Sequence, residues 1–583
     1  MKKKTKKEFK YSSYLKRYKF HTFMAPFCKG IETLTELFIP FLMAQIIDIG
    51  IKNNDKSFIV KFGIIILVLN IVGFCFAIFG QKCAAISSRS VGRDIRNDIF
   101  EHINSLSHSE LDKFSTTTLL NRTVNDVRNI QVGIGTLLRN IMRAPVLIIG
   151  SLIMSLFINI KLSLIFVVII PIMIFIVWKI MGKLKPLLVS IKTKLDKTTN
   201  ITRENLTGVR VVRAFNKQNH ETEKFKNANY DLISTQLKHG EWNSALIPLI
   251  SLVVNFAIIA LFYFGGIEVN AGELSQGKLI AFIDYFGTIS VCIVTLANLI
   301  TIVTRMNASS ERVNELMMIK NSVKDPANPV KIDFNDVNLG KVEFKDVNFS
   351  YSDVKNAVSD LSFTANPGDI IGIIGGTGSG KSSIINLIPR FYDTTTGEVL
   401  INDVNVKKYN LEELRNIIGL VPQNPTLFKG TIKSNMCWRK PDATDEEIVK
   451  ALKIAQAYDF VKEYPDFLDH KVNKGGTNFS GGQRQRLTIA RALVGNPHII
   501  ILDDASSALD FATDAKLRKS IRQNLSDATT FIVTQRTNSI KDANKIIVVN
   551  NGNIIDIGSH TELLERCNIY QEIHYSQNKK ETR

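Results

Sequence analysis

Six long apolar segments, separated by polar connections, occupy the first half of the chain. They cover approximately residues 20–49, 58–79, 132–158, 162–181, 245–264 and 279–303. About 20 apolar residues in a helix cross the roughly 30 Å hydrocarbon core of a bilayer. The pattern therefore predicts six membrane-spanning helices. The second and fourth segments are nearly free of charge, whereas Lys29, Glu32, Glu36, Arg139 and Arg143 fall within the first and third.

These charges allow two interpretations. In one, the helices extend past the bilayer and leave most of the charges at an interface. In the other, Glu36, Arg143 and Asp284 face a water-filled cavity, because an unpaired charge facing lipid is costly. The sequence alone leaves both open.

Short and long connections alternate between the apolar segments. The long ones, residues 80–131 and 182–244, carry most of the Lys and Arg, which places them and both termini in the cytoplasm. Val91, Ile95, Ile99 and Ile103 recur at every fourth position, so we expect the membrane helices to continue into the cytoplasm. Their turns, near residues 114–122 and 208–215, would face a cytoplasmic domain.

The second half of the chain has the pattern of a soluble α/β domain. Short β-branched runs at residues 370–374, 417–421, 498–502, 530–533 and 545–549 alternate with helical patterns. Such continuous apolar runs favour a largely parallel, buried sheet. We therefore predict an N-terminal arm (1–19), an all-α six-helix transmembrane domain (20–305), a linker (306–340) and an α/β domain (341–583).

Composition and charge refine this picture. The chain has 583 residues, is 45% hydrophobic and carries a formal net charge of +19. Nine of the first 19 residues are Lys or Arg, against the single acid Glu8. An apolar segment follows at once, so we interpret this arm as an anchor at an anionic lipid surface and expect no nucleic-acid partner. The six cysteines show no zinc or redox spacing.

A phosphate-binding loop follows the run at 370–374. Glycines there let successive backbone N–H groups point at phosphate oxygens, and a helix N-terminus adds its positive end. In this pattern the lysine reaches the β- and γ-phosphates of ATP and the next serine holds Mg²⁺. The loop comprises Gly375, Gly376, Thr377, Gly378, Ser379, Gly380, Lys381 and Ser382, and Ser383 continues the helix.

Two further motifs lie downstream. The apolar run at 499–502 ends in Asp503 and Asp504, and Asp503 is a candidate Mg²⁺ ligand of the kind found in P-loop nucleotidases. A hydroxyl and glycine amides at a helix start can bind a second phosphate group. That second site consists of Ser480, Gly481, Gly482 and Gln483.

The order of these motifs resembles the ATP-binding cassette (ABC) transporters, and the likeness covers nearly the whole chain. In this family the Ser480–Gln483 motif faces the P-loop of a second cassette, with ATP between them. The resemblance implies that Tyr351 stacks on adenine and that Gln423 contacts Mg²⁺ and the attacking water. It also implies coupling regions at residues 119–127 and 205–215. One membrane domain and one cassette make a half-transporter of the exporter type.

The departures from the family pattern are informative. The family usually has Glu where Asp504 stands and His where Gln535 stands, so both hydrolytic positions are replaced. Asp504 is shorter by one methylene, and Gln535 cannot take up a proton as imidazole can. We therefore expect slow hydrolysis at a site that still binds ATP and Mg²⁺. Lys474 stands where the family often has an acidic residue before the Ser480–Gln483 motif. The reversed charge puts in doubt the contact that this acid makes between the nucleotide-binding domain and the coupling helices.

The resulting hypothesis is that the chain is one subunit of a bacterial heterodimeric multidrug exporter in the plasma membrane. Its own P-loop would form the degenerate ATP site, which is the site whose hydrolytic residues are replaced. Its partner would be a second half-transporter with intact Glu and His. No dedicated substrate domain precedes the first helix, so we expect a lipophilic or amphipathic small-molecule cargo. Two alternatives remain open: a slow homodimeric exporter of lipid or peptide, and an ATP-gated channel or sensor-like membrane protein.

Overall fold

The computed structural model describes residues 10–334, 336, 339–351 and 356–577. Residues 1–9 of the predicted basic arm lie outside this described part. Within it, residues 10–104 and 116–319 form a membrane unit. Residues 105–115 and the chain from Lys320 onward form a cassette unit.

The membrane unit contains, among the described residues, six helices long and apolar enough to span a bilayer. Their bounds are Tyr11–Ile51, Lys56–Ser105, Thr116–Ile158, Ile160–Thr207, Gln218–Asn270 and Gln276–Met318. The second span has 50 residues, which corresponds to about 75 Å and far exceeds a bilayer core. The predicted six helices and their extension beyond the membrane are confirmed.

Local irregularities interrupt two of these spans. The first contains Tyr11–Leu15, Lys19–Gln45 and a π-helical turn, Ile46–Ile51. The third contains Thr116–Asn121, a π-helical turn at Arg122–Asp126, then Val127–Asn140 and Arg143–Ile158. Between the fourth and fifth spans, Gly208 ends one helix and Val209–Ala214 forms a short helix, where a turn was predicted.

The sixth span overturns the predicted start of the linker. Its helix continues to Met318, beyond residue 305, because Met306, Val313 and Leu316 recur at helical spacing and are all buried. They pack in one cluster with Val91 and Ile95 of the second span. Hydrophobic burial therefore holds as helix a stretch whose polar composition had indicated a linker.

The predicted boundary at residue 19 also shifts. A helix begins at Tyr11, and the Tyr14 hydroxyl donates to Asp98 over 2.8 Å. Tyr18 donates to Asp94 over 2.9 Å. These tyrosines lie four positions apart, so they share one face of the arm, and this face packs on the second span.

Among its described residues, the cassette unit contains three β-sheets. Their strands are β1 Val342–Phe349, β2 Val358–Ala365, β3 Ile370–Ile374, β4 Thr396–Ile401, β5 Val404–Asn405, β6 Ile418–Val421, β7 Gly430–Thr431, β8 Lys471–Val472, β9 Ile499–Asp503, β10 Thr529–Thr534, β11 Lys545–Asn550 and β12 Asn553–Gly558. A six-stranded sheet has the order β12-β11-β3-β10-β9-β6, and only the β11–β12 pair is antiparallel. The predicted largely parallel sheet is confirmed. The antiparallel sheet β2-β1-β4-β5 and the β7–β8 pair were not predicted.

Burial on both faces explains the continuous apolar runs. Ile499 and Ile501 of β9 pack in one hydrophobic cluster, and the alternate residues Ile500 and Leu502 pack in another. The helices around the sheets are Lys381–Leu387, Leu411–Asn416, Ile432–Met436, Asp445–Ile454, Tyr458–Val461, Gly481–Leu493, Phe511–Asn524, His560–Arg566 and Asn568–Gln577.

Residues 105–115, which follow the second span, pack within the cassette unit. Their short helix, His108–Leu111, places the His108 ring 4.4 Å from the Phe391 ring in a stacked arrangement. The Tyr392 hydroxyl donates to Asp112 over 2.5 Å. This corrects one expectation, because the segment belongs to the cassette unit although it lies inside the predicted transmembrane domain.

Candidate nucleotide-binding site

The phosphate-binding loop joins β3, in the middle of the six-stranded sheet, to the helix Lys381–Leu387. A Cβ on Gly375 would lie 2.0 Å from the Val549 carbonyl oxygen, so β11 leaves no room for a side chain. Gly380 has a φ of +103°, and a Cβ there would meet the Ala357 carbonyl at 2.7 Å. The two glycines let the loop curl tightly against the sheet, which directs backbone N–H groups to its open side.

Lys381 folds over this loop. Its Nζ donates to the carbonyl oxygens of Gly375 and Gly376, over 2.9 and 2.6 Å, and to Ser379 Oγ over 3.3 Å. Burial lowers the pKa of Lys381, and the negative charges of Asp503 and Asp504 oppose that shift. The ammonium group is thus held at the loop by contacts that phosphate oxygens can replace.

Ser382 and Asp503 are brought together at the carboxyl end of the sheet. The Ser382 hydroxyl donates to Asp503 Oδ1 over 3.2 Å. Burial raises the pKa of Asp503, while the Ser382 hydrogen bond lowers it. A half-buried carboxylate beside a hydroxyl is an oxygen donor set that suits Mg²⁺. Gln423 lies two residues beyond β6, the neighbour of β9, and its side chain is exposed.

Asp504 follows at a sharp turn. Its φ is +47°, a left-handed conformation that Asp tolerates better than most residues. Its backbone N–H donates to the Val533 carbonyl over 2.9 Å, which ties the turn to β10. Burial raises the pKa of the Asp504 carboxyl, and the charges of Arg536 and Lys381 oppose this.

Gln535 is exposed and comes directly after β10. Its carbonyl oxygen accepts a 2.6 Å hydrogen bond from the Gln577 side chain. Gln577 also accepts hydrogen bonds from the Thr537 backbone N–H and hydroxyl, over 3.0 and 3.3 Å. Sequence reasoning missed Gln577, because no motif marks a glutamine 42 residues further along the chain.

Tyr351 lies beside the phosphate-binding loop. Its hydroxyl is 3.1 Å from Ser383 Oγ, and its ring packs edge-on against Tyr392, with centroids 5.1 Å apart. Together with residues 378–383 it lines a cleft of about 490 Å³. Asn551 and Gly552, between β11 and β12, line the same cleft and were not predicted. An exposed aromatic ring beside a phosphate loop suits stacking of a planar base.

The Ser480–Gln483 motif starts the 13-residue helix Gly481–Leu493. Ser480 Oγ accepts from the Gln483 backbone N–H, and the Gln483 side chain accepts from the Ser480 N–H. A Cβ on Gly481 would meet nothing within 4 Å. This helix start is exposed, and its residues are not among those that line the cleft beside the P-loop. It is therefore accessible to a second chain.

Comparison with known proteins agrees with this arrangement. Residues 22–292 match the family described as ABC transporter transmembrane region, and residues 358–507 match the family described as ABC transporter. An uncharacterized ABC transporter ATP-binding protein of Mycobacterium tuberculosis is 37% identical over 551 residues, covering 94% of each chain. This chain belongs to the ABC transporter family.

Two further comparisons extend this result. A Bacillus subtilis protein named as a multidrug export ATP-binding/permease protein is 31% identical, covering 98% of this chain and 99% of that one. The solved structure of a bacterial Atm1-family ABC exporter with ATP bound has a TM-score of 0.80 at 23% identity, covering 96% and 99% of the two chains. With one six-helix membrane unit and one cassette, this ABC protein is an exporter-type half-transporter, a multi-pass membrane protein whose cassette couples ATP hydrolysis to transport.

Proposed function

We propose that this half-transporter is one subunit of a heterodimeric exporter in a bacterial plasma membrane. Its own P-loop, Asp504 and Gln535 would form an ATP site that binds nucleotide with Mg²⁺ and hydrolyses it slowly. The cargo would be lipophilic or amphipathic small molecules. Relatives in Bacillus subtilis and Staphylococcus aureus whose names specify multidrug export support that class of cargo.

The proposal depends on one contrast: the residues that bind ATP and Mg²⁺ are retained, whereas the two residues that promote hydrolysis are replaced. The P-loop glycines, Lys381 and Ser382 are present, and the Ser382 hydroxyl donates a hydrogen bond to Asp503, the candidate Mg²⁺ ligand. At the two hydrolytic positions, Asp504 has a carboxylate roughly 1 Å too short for in-line activation of water, a misplacement that costs about a hundredfold in rate. Gln535 offers an amide, which can donate a hydrogen bond and cannot accept the proton that imidazole takes.

The intact motif at Ser480–Gln483 supports a partner of different sequence. In an ABC dimer this motif completes the ATP site on the opposite cassette. A partner with Glu and His would make that opposite site hydrolytically competent. A self-dimer would contain two weakened sites, and its complete Ser480–Gln483 motif would then serve neither well.

Purification of the singly tagged chain from its native membranes tests the assembly. We expect a second half-transporter to co-purify, with Glu after the acidic strand and His after the next one. A complex that contains only this chain and hydrolyses ATP at an ordinary rate would contradict the proposal.

Substitutions in the assembled complex test the division of labour. We expect Asp504→Asn to lower ATPase activity by less than about threefold, because its site contributes little turnover. Gly481→Asp should lower it by roughly a hundredfold, since a carboxylate at the helix start repels the phosphate of the competent site. Gly481 has open space around it, so this variant should fold.

Ser480→Ala is the milder version of the same change, because it removes one phosphate-facing hydroxyl and a helix cap. The steady-state ATPase rate of each purified complex is the measurement. Loss of turnover in Asp504→Asn, with mild effects of Gly481→Asp and Ser480→Ala, would reverse the assignment of the two sites.

A further inference from the structure

A cavity of about 670 Å³ lies within the membrane unit, between the first, third, fifth and sixth spans. This volume is in the range of pockets that enclose a small organic molecule. Its walls are mostly apolar, with Leu37, Leu147, Ile258, Ile283 and Val291 among them. Three charged side chains, Glu36, Arg143 and Asp284, interrupt these walls.

Glu36 and Arg143 neutralise each other. Arg143 Nη2 lies 3.0 and 3.3 Å from the two carboxylate oxygens of Glu36. The pair joins the first span to the third, and each side chain keeps some exposure to the cavity, 37% for Glu36 and 42% for Arg143. It therefore contributes polarity to the cavity and no net charge.

Asp284 contributes the remaining charge. It lies eight residues after the start of the sixth span at Gln276, which is about 12 Å along the helix axis. Among the residues that the structure describes, none forms a hydrogen bond or ion pair with its carboxylate. Asp284, Thr288, Val291 and Thr295 lie on one face of the helix and all line the cavity.

Three hydroxyls of the cavity are already used, whereas the Ser151 hydroxyl, which also lines it, has no hydrogen-bond partner among the described residues. The Thr288 and Thr295 hydroxyls donate to backbone carbonyls one turn earlier, and the Tyr285 hydroxyl donates to the Leu37 carbonyl over 2.8 Å. Because these three hydroxyls donate to backbone carbonyls, they do not donate hydrogen bonds to the Asp284 carboxylate. A carboxylate within a membrane span is costly unless water or a positive charge faces it.

We propose that this cavity binds amphipathic organic cations, with Asp284 as the counter-ion and the apolar walls holding the hydrophobic body. This rests on the proposed export function and narrows its cargo class from lipophilic compounds in general to cationic ones. A cation with a bulky apolar body satisfies both the net negative charge and the apolar walls. An anion of the same size would meet Asp284 with like charge.

Tetraphenylphosphonium and tetraphenylborate are the probes, because they have nearly the same size and shape and opposite charge. Binding is measured to the purified full complex in nanodiscs without nucleotide, and partition into protein-free nanodiscs is subtracted. We expect the phosphonium ion to bind at least roughly tenfold more tightly than the borate ion. Asp284→Asn should remove that difference, and Asp284→Glu should keep it.

Thr295→Val is the matched control, since it changes a polar side chain on the same helix face and leaves the charge unaltered. It should preserve the preference for the cation. Equal affinity for the two ions, or a preference that survives Asp284→Asn, would overturn the proposal. The binding assay uses no ATP, so its outcome is independent of which subunit hydrolyses the nucleotide. An exporter that carries anions would contradict this inference alone.

Discussion

Asp504 and Gln535 occupy adjacent strand ends, after β9 and β10. The Asp504 backbone is fixed in a left-handed turn by its hydrogen bond to Val533. The position of its carboxylate is therefore set by the length of the side chain. Gln535 is exposed, so a larger ring at that position meets no packed neighbour that would exclude it.

Restoring both side chains should restore hydrolysis at this site. We expect Asp504→Glu combined with Gln535→His to raise the ATPase rate of the assembled complex severalfold when the competent site is silenced by Gly481→Asp. Glu supplies the missing methylene, and His supplies a proton acceptor near the γ-phosphate. Phosphate release under saturating ATP and Mg²⁺ is the measurement.

Each single substitution serves as the control for the double one. Asp504→Glu alone should recover part of the rate, because it positions water without the imidazole. If the double variant hydrolysed no faster than the complex with Gly481→Asp alone, the weakness would have to lie in other residues of the cleft.

Among the secondary-structure elements, the C-terminal helix Asn568–Gln577 determines the position of the loop that carries Gln535. Three hydrogen bonds join Gln577 to residues 535–537. We expect Gln577→Ala to speed amide exchange at Thr537 about fivefold, the factor that corresponds to loss of one hydrogen bond worth about 1 kcal/mol. Hydrogen–deuterium exchange of the full complex measures it.

Ser576→Ala is the matched control on the same helix. Its hydroxyl donates only to the Ile573 carbonyl, over 2.8 Å, among the contacts that the structure gives it. Exchange at Thr537 should stay unchanged there. Equal exchange in Gln577→Ala and the original protein would show that the loop holds its conformation without the C-terminal helix.

The elements that the sequence predicted best are those with strong local patterns. The five strands of the parallel sheet were predicted to within one residue at each end, because burial on both faces leaves uninterrupted apolar runs. The P-loop, Ser382 and Asp503 could be placed in one site because glycine spacing and strand ends specify where such side chains meet. Tertiary hydrogen bonds such as those of Gln577 leave no local pattern.

Boundaries depended on contacts that the sequence does not display. Met306, Val313 and Leu316 are separated by polar residues, so the end of the sixth helix looked like a linker. Residues 105–115 join the cassette unit through the His108–Phe391 stack and the Tyr392–Asp112 hydrogen bond. These partners lie about 280 positions apart, and no short-range signal connects them.

At the scale of the whole molecule, the second span shows where the bilayer ends. Val60, Ile64, Leu67, Ile71 and Phe74 are exposed on the surface of the unit, as lipid-facing side chains are. Further along, Val91, Ile95 and Ile99 are buried while basic residues occupy the exposed positions. The bilayer boundary therefore falls near residue 80, and the remaining part of this helix projects into water.

This geometry makes a prediction about topology. If the long connections are cytoplasmic, Asn53, between the first and second spans, lies outside the cell, and Asn227, in the long extension of the fifth span, lies inside. Both side chains are exposed, so Asn53→Cys and Asn227→Cys form a matched pair. Cys75 and Cys437, which are not fully buried, are first replaced by Ala.

A membrane-impermeant thiol reagent should label Asn53→Cys in intact cells and Asn227→Cys only after permeabilisation. We expect this labelling pattern because the connections 80–131 and 182–244 are rich in Lys and Arg. Positively charged connections are retained on the cytoplasmic side when a membrane protein inserts. The reverse pattern would place the cassette outside, away from ATP, and would contradict the orientation on which cargo export depends. Labelling of both cysteines in intact cells would mean that the predicted alternation of short outer and long inner connections is wrong.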